Sequence, residues 1–331
     1  MARTSTIRIL DITIQRDLLI RDAARLITIK YKFVIQLELQ MSHILVFGAT
    51  GMLGHTLCRV LSQNHSVVGT VRGHAKEYRS PFLTVPLYSY VDVNDMRTVY
   101  DAIKTTSPDV VINAIGIVKQ VPDAVNQERS ILINSLLPHK LASICKIHGA
   151  NLIHISTDCV FDGNRGGYRE TDLTNATDLY GRTKALGEVI NDRDLTLRTS
   201  IIGHELYPPY HGLLEWMLQQ TWATVPGYTN AIFSGVTTLE LARTIDTLIQ
   251  NHPDLTGLYH VAAPPIAKRD LLTMINATFD LGATIVPDTS VVVDRSLNDD
   301  LFRATTNIPK PSWQQMVDEL YDEHPRYGGQ I

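Results

Sequence analysis

The feature that most restricts this chain is a trio of glycines, Gly48, Gly51 and Gly54, set between an apolar run at 43–47 and a helical pattern at 52–61. The run reads as a buried strand and the pattern as a helix, so the glycines make the turn between them. Such a turn offers a tight bend, close backbone approach and free helix N-terminal N–H groups, which together suit a dinucleotide pyrophosphate. The spacing is Gly-x-x-Gly-x-x-Gly rather than the more widespread Gly-x-Gly-x-x-Gly, and outside a strand-to-helix setting it would imply turn chemistry alone.

From Ser42 onward strand and helix patterns alternate. Strands are expected at 66–71, 109–114, 151–156 and 195–199, with a short apolar run at 83–90 between the first two. Helices are expected at 94–105, 128–148 and 177–191, with Gly149 as a C-terminal stop. This alternation predicts an α/β fold, a Rossmann-type doubly wound parallel sheet whose ligand lies beyond the carboxyl ends of the strands. Residues just after each strand are therefore the candidates for chemistry. Arg72 follows the second strand where an NAD site usually has an acidic residue. A guanidinium there suits the extra phosphate of NADP, with an ordinary surface arginine as the alternative. By the same rule Asp92 and Val93 are placed near the adenine, Ala114, Ile115 and Gly116 along the cofactor, and Ser156, Thr157 and Asp158 beside the substrate.

Tyr180 and Lys184 lie four apart on the third of these helices and share a face. A neighbouring ammonium is expected to bring the phenol down from about 10 towards neutrality. A phenol so tuned can give a proton to a carbonyl oxygen while hydride reaches the carbonyl carbon. Thr157 is placed to hydrogen-bond the same oxygen, and Lys184 to reach the nicotinamide ribose as well. A bare Tyr-x-x-x-Lys is common as a surface helix pair; its position downstream of a glycine turn and a Ser-Thr strand end is what points to catalysis.

These residues carry a resemblance. The chain resembles the extended short-chain dehydrogenases/reductases, and within them the dTDP-4-dehydrorhamnose reductase family of sugar-nucleotide reductases. The narrower likeness rests on His154-Ile-Ser-Thr-Asp-Cys-Val-Phe-Asp-Gly163, Tyr168-Arg-Glu-Thr-Asp172 and Tyr180-Gly-Arg-Thr-Lys184. It covers roughly residues 42–260 well and the remainder more loosely. It implies a catalytic trio of Thr157, Tyr180 and Lys184, and a pyrophosphate turn that includes Thr50, Met52 and Leu53. It also implies a helix asparagine, Asn134, beside the site, with backbone support as its alternative role. Asp158, Cys159 and Phe161 fall on the family's substrate side. Cys159 stands where the family often has tyrosine, and Asn175-Ala-Thr-Asp178 replaces its proline-containing approach to the catalytic tyrosine, so sugar recognition is expected to differ.

The chain of 331 residues, 44% hydrophobic and 19% charged, is long enough for one large or two modest domains. Its net charge of -4 gives no general attraction for nucleic acid or anionic membrane. Three cysteines without paired spacing fit a reducing cytoplasm, and the scattered histidines form no metal-binding motif, so no catalytic metal is expected. Residues 1–40 carry seven Lys/Arg against four Asp/Glu and no glycine, proline or cysteine. They read as an upstream extension without a part in the chemistry, or as an arm that docks on the domain or a partner.

The organisation expected is the extension 1–40, an NADP-binding domain at 41–200 and a smaller substrate lobe at 201–331, some of whose segments return to the first domain. Within the lobe a helix is expected to start in 210–216, followed by a polar, aromatic turn at 226–230. Arg198 or His211 is assigned to a diphosphate, and Tyr228 and Asn230 to a base or sugar, with loop packing and capping as the alternative. Helices at 238–250, 268–280 and 312–323 read as scaffold. The function expected is NADPH-dependent reduction of a 4-keto-6-deoxy nucleotide sugar, with NAD(H) as alternative cofactor and a homodimer as a further expectation. Epimerisation or dehydration of a nucleotide sugar is a second reading. A third is a non-catalytic regulatory protein, because the family resembles the regulatory beta subunit of methionine adenosyltransferase.

Overall fold

The computed structural model describes residues 41–327 apart from 79, 82 and 120–125, so the readings of residues 1–40 lie outside the described residues. Strand β1 (His43–Phe47) is buried on both sides, with Ile44 and Val46 in one core and Leu45 and Phe47 in another. Period-two alternation between two apolar cores is what a strand inside a parallel sheet requires. Helix α1 (Met52–Leu61) leads to β2 (Ser66–Thr70) and β3 (Leu87–Tyr88). Helix α2 (Met96–Thr106), capped by Asp95, returns the chain to β4 (Val110–Asn113).

Helix α3 begins at Gln127–Ser130, widens into a π turn at Ile131–Leu136 and closes as Leu137–His148. Gly149, at φ 80°, ends it in the left-handed conformation that glycine adopts without a Cβ penalty. Then follow β5 (Asn151–Thr157), α4 (Leu179–Leu186), β6 (Leu195–Thr199) and β7 (Ile201–Ile202). Next come α5 (Leu213–Leu218), β8 (Thr224–Phe233), β9 (Val236–Thr237), α6 (Thr238–Asn251) and β10 (Gly257–His260). The chain closes with β11 (Ile266–Ala267), α7 (Lys268–Thr278), β12 (Thr284–Asp294), α8 (Asp300–Thr306) and α9 (Trp313–Glu323).

Seven strands in the order β10-β6-β5-β4-β1-β2-β3 form one parallel sheet. Helices α2 and α3 cover one face through Val99, Ile103, Leu137 and Leu141. Helices α1 and α6 cover the other through Leu57, Leu61, Leu241 and Ile245. The fold is thus the doubly wound α/β architecture expected. Strand order reverses between β1 and β4, and the crevice beyond their carboxyl ends is where this architecture binds ligands. Strand β10 joins this sheet beside β6, while β11, β8 and β12 make a separate three-stranded sheet.

Two local expectations are corrected. The helix read over 177–191 spans only Leu179–Leu186, opened by the Asp178 cap and closed at Gly187, where a Cβ would sit 1.9 Å from the Asn134 carbonyl oxygen of α3. The turn read at 226–230 is inside β8. Proline is tolerated there because β11 pairs only with Phe233 and Ile232, leaving β8 an open edge at Pro226. The helix expected to start in 210–216 begins at Leu213, after the Gly212 cap.

Candidate active site

The glycine turn is built from backbone. Gly48 takes φ +86° and its carbonyl accepts the Gly51 N–H at 3.0 Å. A Cβ on Gly54 would lie 1.9 Å from that carbonyl oxygen, so α1 can start against the turn only with glycine there. Gly51 caps α1 in extended conformation and supplies no side-chain acceptor, leaving the first-turn N–H groups of Met52, Leu53 and Gly54 without a capping partner. A cradle that a Cβ would fill, at a helix N-terminus without a cap, fits a pyrophosphate. Ile115 borders it, 3.0 Å from where a Gly48 Cβ would stand, and Met52 touches the Gly212 position, which brings the 205–212 loop to the turn.

Beyond β2, Arg72 is exposed. Asp92 is exposed and its carboxylate accepts from the Asn94 N–H and side-chain amide, while Val93 is buried in the core beneath. Gly116 is exposed; the next residue, Ile117, is gripped by Asn134, whose Oδ1 accepts the Ile117 N–H at 2.9 Å and whose Nδ2 donates to the Ile117 carbonyl at 3.1 Å. Asn134 lies in the π turn and also donates to Thr183 Oγ1 at 3.3 Å, so one side chain ties the loop after β4 to α4.

Thr157 ends β5 with its side chain buried; it accepts the Cys159 N–H and donates to Asp158 Oδ1, both at 3.1 Å. Tyr180, half-buried at the start of α4, has the Thr157 hydroxyl among the groups that act on its phenol. Two glycines let α4 approach: a Cβ on Gly181 would lie 2.2 Å from the Cys159 carbonyl oxygen, matching the contact of Gly187 with Asn134. One turn on, Lys184 is buried and donates to the Ile155 carbonyl at 2.7 Å. Burial lowers the Lys184 ammonium to about 8, opposed by the Glu188 carboxylate.

The expectation that Lys184 lowers the Tyr180 phenol is corrected. Burial pushes the phenol above its ordinary value, the Cys159 thiol and the Asp158 and Asp178 carboxylates add to this, and the Thr157 hydroxyl opposes it. The Cys159 thiol, half-buried, is itself pushed up to about 12, chiefly by burial.

Two substrate assignments are also corrected. Arg198 is buried on β6, where its Nε and Nη2 donate to Glu188 at 2.7 Å each and Nη1 meets His260 Nε2 at 3.3 Å, so its donors are used inside the fold. Phe161 has no exposed surface; it stacks on Tyr168, ring centres 4.2 Å apart, under the Arg198 guanidinium. His211 lies just before α5, its N–H held by Glu205 at 2.8 Å. Tyr228, half-buried, and Asn230, exposed, are on β8. Asp158 is buried beside Thr157.

Sequence reading missed Glu188 and the Asp178 cap. The spacing Tyr180, Lys184, Glu188 continues one helical face and could have found the first. An aspartate two residues ahead of Tyr180 is an N-cap signal for the second. Among the described residues no group of three His, Cys, Asp or Glu side chains is placed to hold a metal ion, and no helix is long and apolar enough to cross a membrane.

Residues 41–266 match the family described as RmlD substrate binding domain. A probable low-salt glycan biosynthesis reductase of Haloferax volcanii is 30% identical over 260 residues, covering 75% of this chain and 84% of the relative. The methionine adenosyltransferase 2 subunit beta of Bos taurus is 33% identical over 151 residues, 44% of this chain and 41% of that protein. A dTDP-4-dehydrorhamnose reductase of Bacillus anthracis, solved in complex with NADP, shares the fold at a TM-score of 0.69 and 20% identity, over 86% of this chain and 99% of that one.

Proposed function

We propose that this chain, which belongs to the RmlD substrate binding domain family, reduces the keto group of a 4-keto-6-deoxy nucleotide sugar with NADPH. The chain is an oxidoreductase of the extended short-chain dehydrogenase/reductase class. The observation that carries the finer reading is the meeting of Thr157 and Tyr180 at the carboxyl end of β5, with Lys184 one turn behind. NADPH, when bound, supplies the hydride. Gly48, Gly51, Met52, Leu53 and Gly54 hold its pyrophosphate on uncapped backbone amides, and Arg72 takes the extra phosphate.

Tyr180 stays protonated at neutral pH and is therefore a proton donor to the carbonyl oxygen, the direction that reduction needs. Thr157 holds that oxygen with its hydroxyl. Lys184, fixed by one hydrogen bond to Ile155, keeps further N–H donors for a ribose hydroxyl. Cys159, Tyr228, Asn230 and His211 are the residues assigned to the sugar nucleotide. The likeness to the methionine adenosyltransferase subunit favours a second reading, a cofactor-binding regulatory protein. The test is NADPH oxidation with dTDP- and UDP-4-keto-6-deoxy sugars. Sugar-dependent oxidation lost in Tyr180→Phe supports the reductase; saturable NADPH binding without turnover on either sugar supports the second reading.

A further inference from the structure

Asp178 is a two-handed residue at the start of α4. Its Oδ1 caps the helix by accepting the Gly181 N–H at 3.0 Å, and its Oδ2 accepts from Lys119 Nζ at 2.9 Å. The Lys119 ammonium comes from the loop after β4 and stands 5.6 Å from the centre of the Tyr180 ring. That loop is not free to drift, because two residues earlier Asn134 grips Ile117. Lys119 and Asp178 are both partly exposed, at 36% and 41% of their side-chain surface. A cation over an aromatic face is attracted to it, and a cation beside a phenol favours the phenolate.

The groups facing Tyr180 can be named element by element. Thr157 at the end of β5 favours ionisation; Asp158 and Cys159 in the turn after β5 oppose it. Asp178 at the head of α4 opposes it too, while Lys184 on α4 directs its ammonium at the Ile155 carbonyl. Arg295 and Lys119 both act on Asp178 and Cys159, and of the two it is Lys119 that lies over the ring. Lys119 is thus the cation that both pairs with the nearest exposed anion and lies over the ring itself.

We propose that Lys119 is a positioning residue for Tyr180: by neutralising Asp178 and covering the ring face, it sets the acidity of the proton donor and holds the β4 loop against α4. The inference rests on Tyr180 being that donor. Removing the cation leaves Asp178 uncompensated beside the phenol, so the phenol becomes a weaker acid. Removing the anion while keeping the cap has the opposite effect, since asparagine caps a helix as well as aspartate does.

The test is the pH profile of the full-length protein in three variants, Lys119→Gln, Asp178→Asn and Tyr180→Phe. It is read both by NADPH oxidation and by the ultraviolet absorbance of tyrosinate, with Tyr180→Phe subtracted. The expected result is that Lys119→Gln moves the Tyr180 ionisation up by about half a pH unit or more and Asp178→Asn moves it down. In Lys119→Gln the reduction rate at neutral pH falls, because a weaker acid gives its proton less readily, while the alkaline fall that follows the Lys184 ammonium near 8 stays in place. An ionisation unmoved in both variants overturns the proposal. Full activity in Tyr180→Phe instead overturns the reading of Tyr180 as donor, so the two failures are distinct.

Discussion

Glu188 and Arg198 meet in a two-point ion pair, 2.7 Å at each contact, with both side chains only 4% exposed. Ser156 donates to the same Glu188 carboxylate at 2.7 Å, and Glu188 also faces the Lys184 ammonium, so the pair lies directly behind the proposed catalytic trio. A buried pair of this kind contributes little net stability as a pair, but removing one partner strands the other charge. Glu188→Gln is expected to cost about 3–5 kcal/mol in chemical denaturation, whereas Glu188→Leu combined with Arg198→Met costs far less. An equal loss in the single and double variants would show that the stranded charge is not the cause.

Helix α4 carries Tyr180 and Lys184 to their places through its two glycine contacts. Both obstacles to a Cβ are backbone atoms, the Cys159 and Asn134 carbonyls, which cannot swing aside as a side chain could. Gly181→Ala and Gly187→Ala are each expected to lower stability by about 1–3 kcal/mol, the usual cost of overpacking. The rate is expected to fall with kcat rather than KM, because Tyr180, the proposed proton donor, is displaced with the helix. Wild-type denaturation midpoints would refute the close approach.

Arg72 is exposed at the end of β2, free of the interior network that occupies Arg198. Arg72→Ala is expected to lower kcat/KM for NADPH by about 10- to 100-fold, corresponding to the loss of about 1.5–3 kcal/mol in a charged hydrogen bond. NADH should be little affected. An unchanged ratio between the two cofactors would remove Arg72 from the phosphate site.

Much of this was legible in the sequence. The strand at 43–47 and helix at 52–61 coincide with β1 and α1, because a run buried on both faces and a glycine-bounded helix are local signals. Gly149 likewise stops α3 where a helix stop was read. Arg198 was misread because an arginine ending a strand looks the same in sequence whether it faces a ligand or a buried glutamate ten residues away. Tyr180 was misread for a related reason: spacing shows that Lys184 shares its face, but not that burial outweighs the ammonium or that the ammonium turns to Ile155. Pro226 and Asn230 are turn-forming residue types that the open edge of β8 accepts. Lys119 left no local signal, since its partner is 59 residues away.

Buried histidines set the acid limit of the fold: His154 is held well below its ordinary value by burial, the Lys184 ammonium and His139, and His55 and His260 act in the same sense. His55 donates from Nδ1 to the Gly51 carbonyl at 2.8 Å and its Nε2 meets the Tyr327 hydroxyl at 2.7 Å, linking the glycine turn to the segment after α9. His260 has Nδ1 3.1 Å from both the Tyr168 and Asn298 carbonyls, which makes Nδ1 the donor and turns the unprotonated Nε2 to Arg198. Burial lowers each from 6.5 to about 4, helped by Arg59 at His55 and by Arg198 at His260. Above 6.5 both rings are neutral in folded and unfolded chains and their protonation has no effect. As pH falls below 6.5 the unfolded chain takes up protons that the folded chain refuses, so stability is lost progressively down to about 4. The loss approaches roughly 3 kcal/mol per histidine at the lower end, at about 1.4 kcal/mol per pH unit. Glu170, raised by burial, works in the opposite sense over the carboxylate range. Guanidinium denaturation between pH 7.5 and 4.5 is therefore expected to show stability falling from near pH 6.5, before ordinary carboxylates titrate. His260→Gln, which carries no titrating ring, should flatten that slope. A midpoint constant from pH 7 to 5, or a slope unchanged by the substitution, would place the acid sensitivity elsewhere.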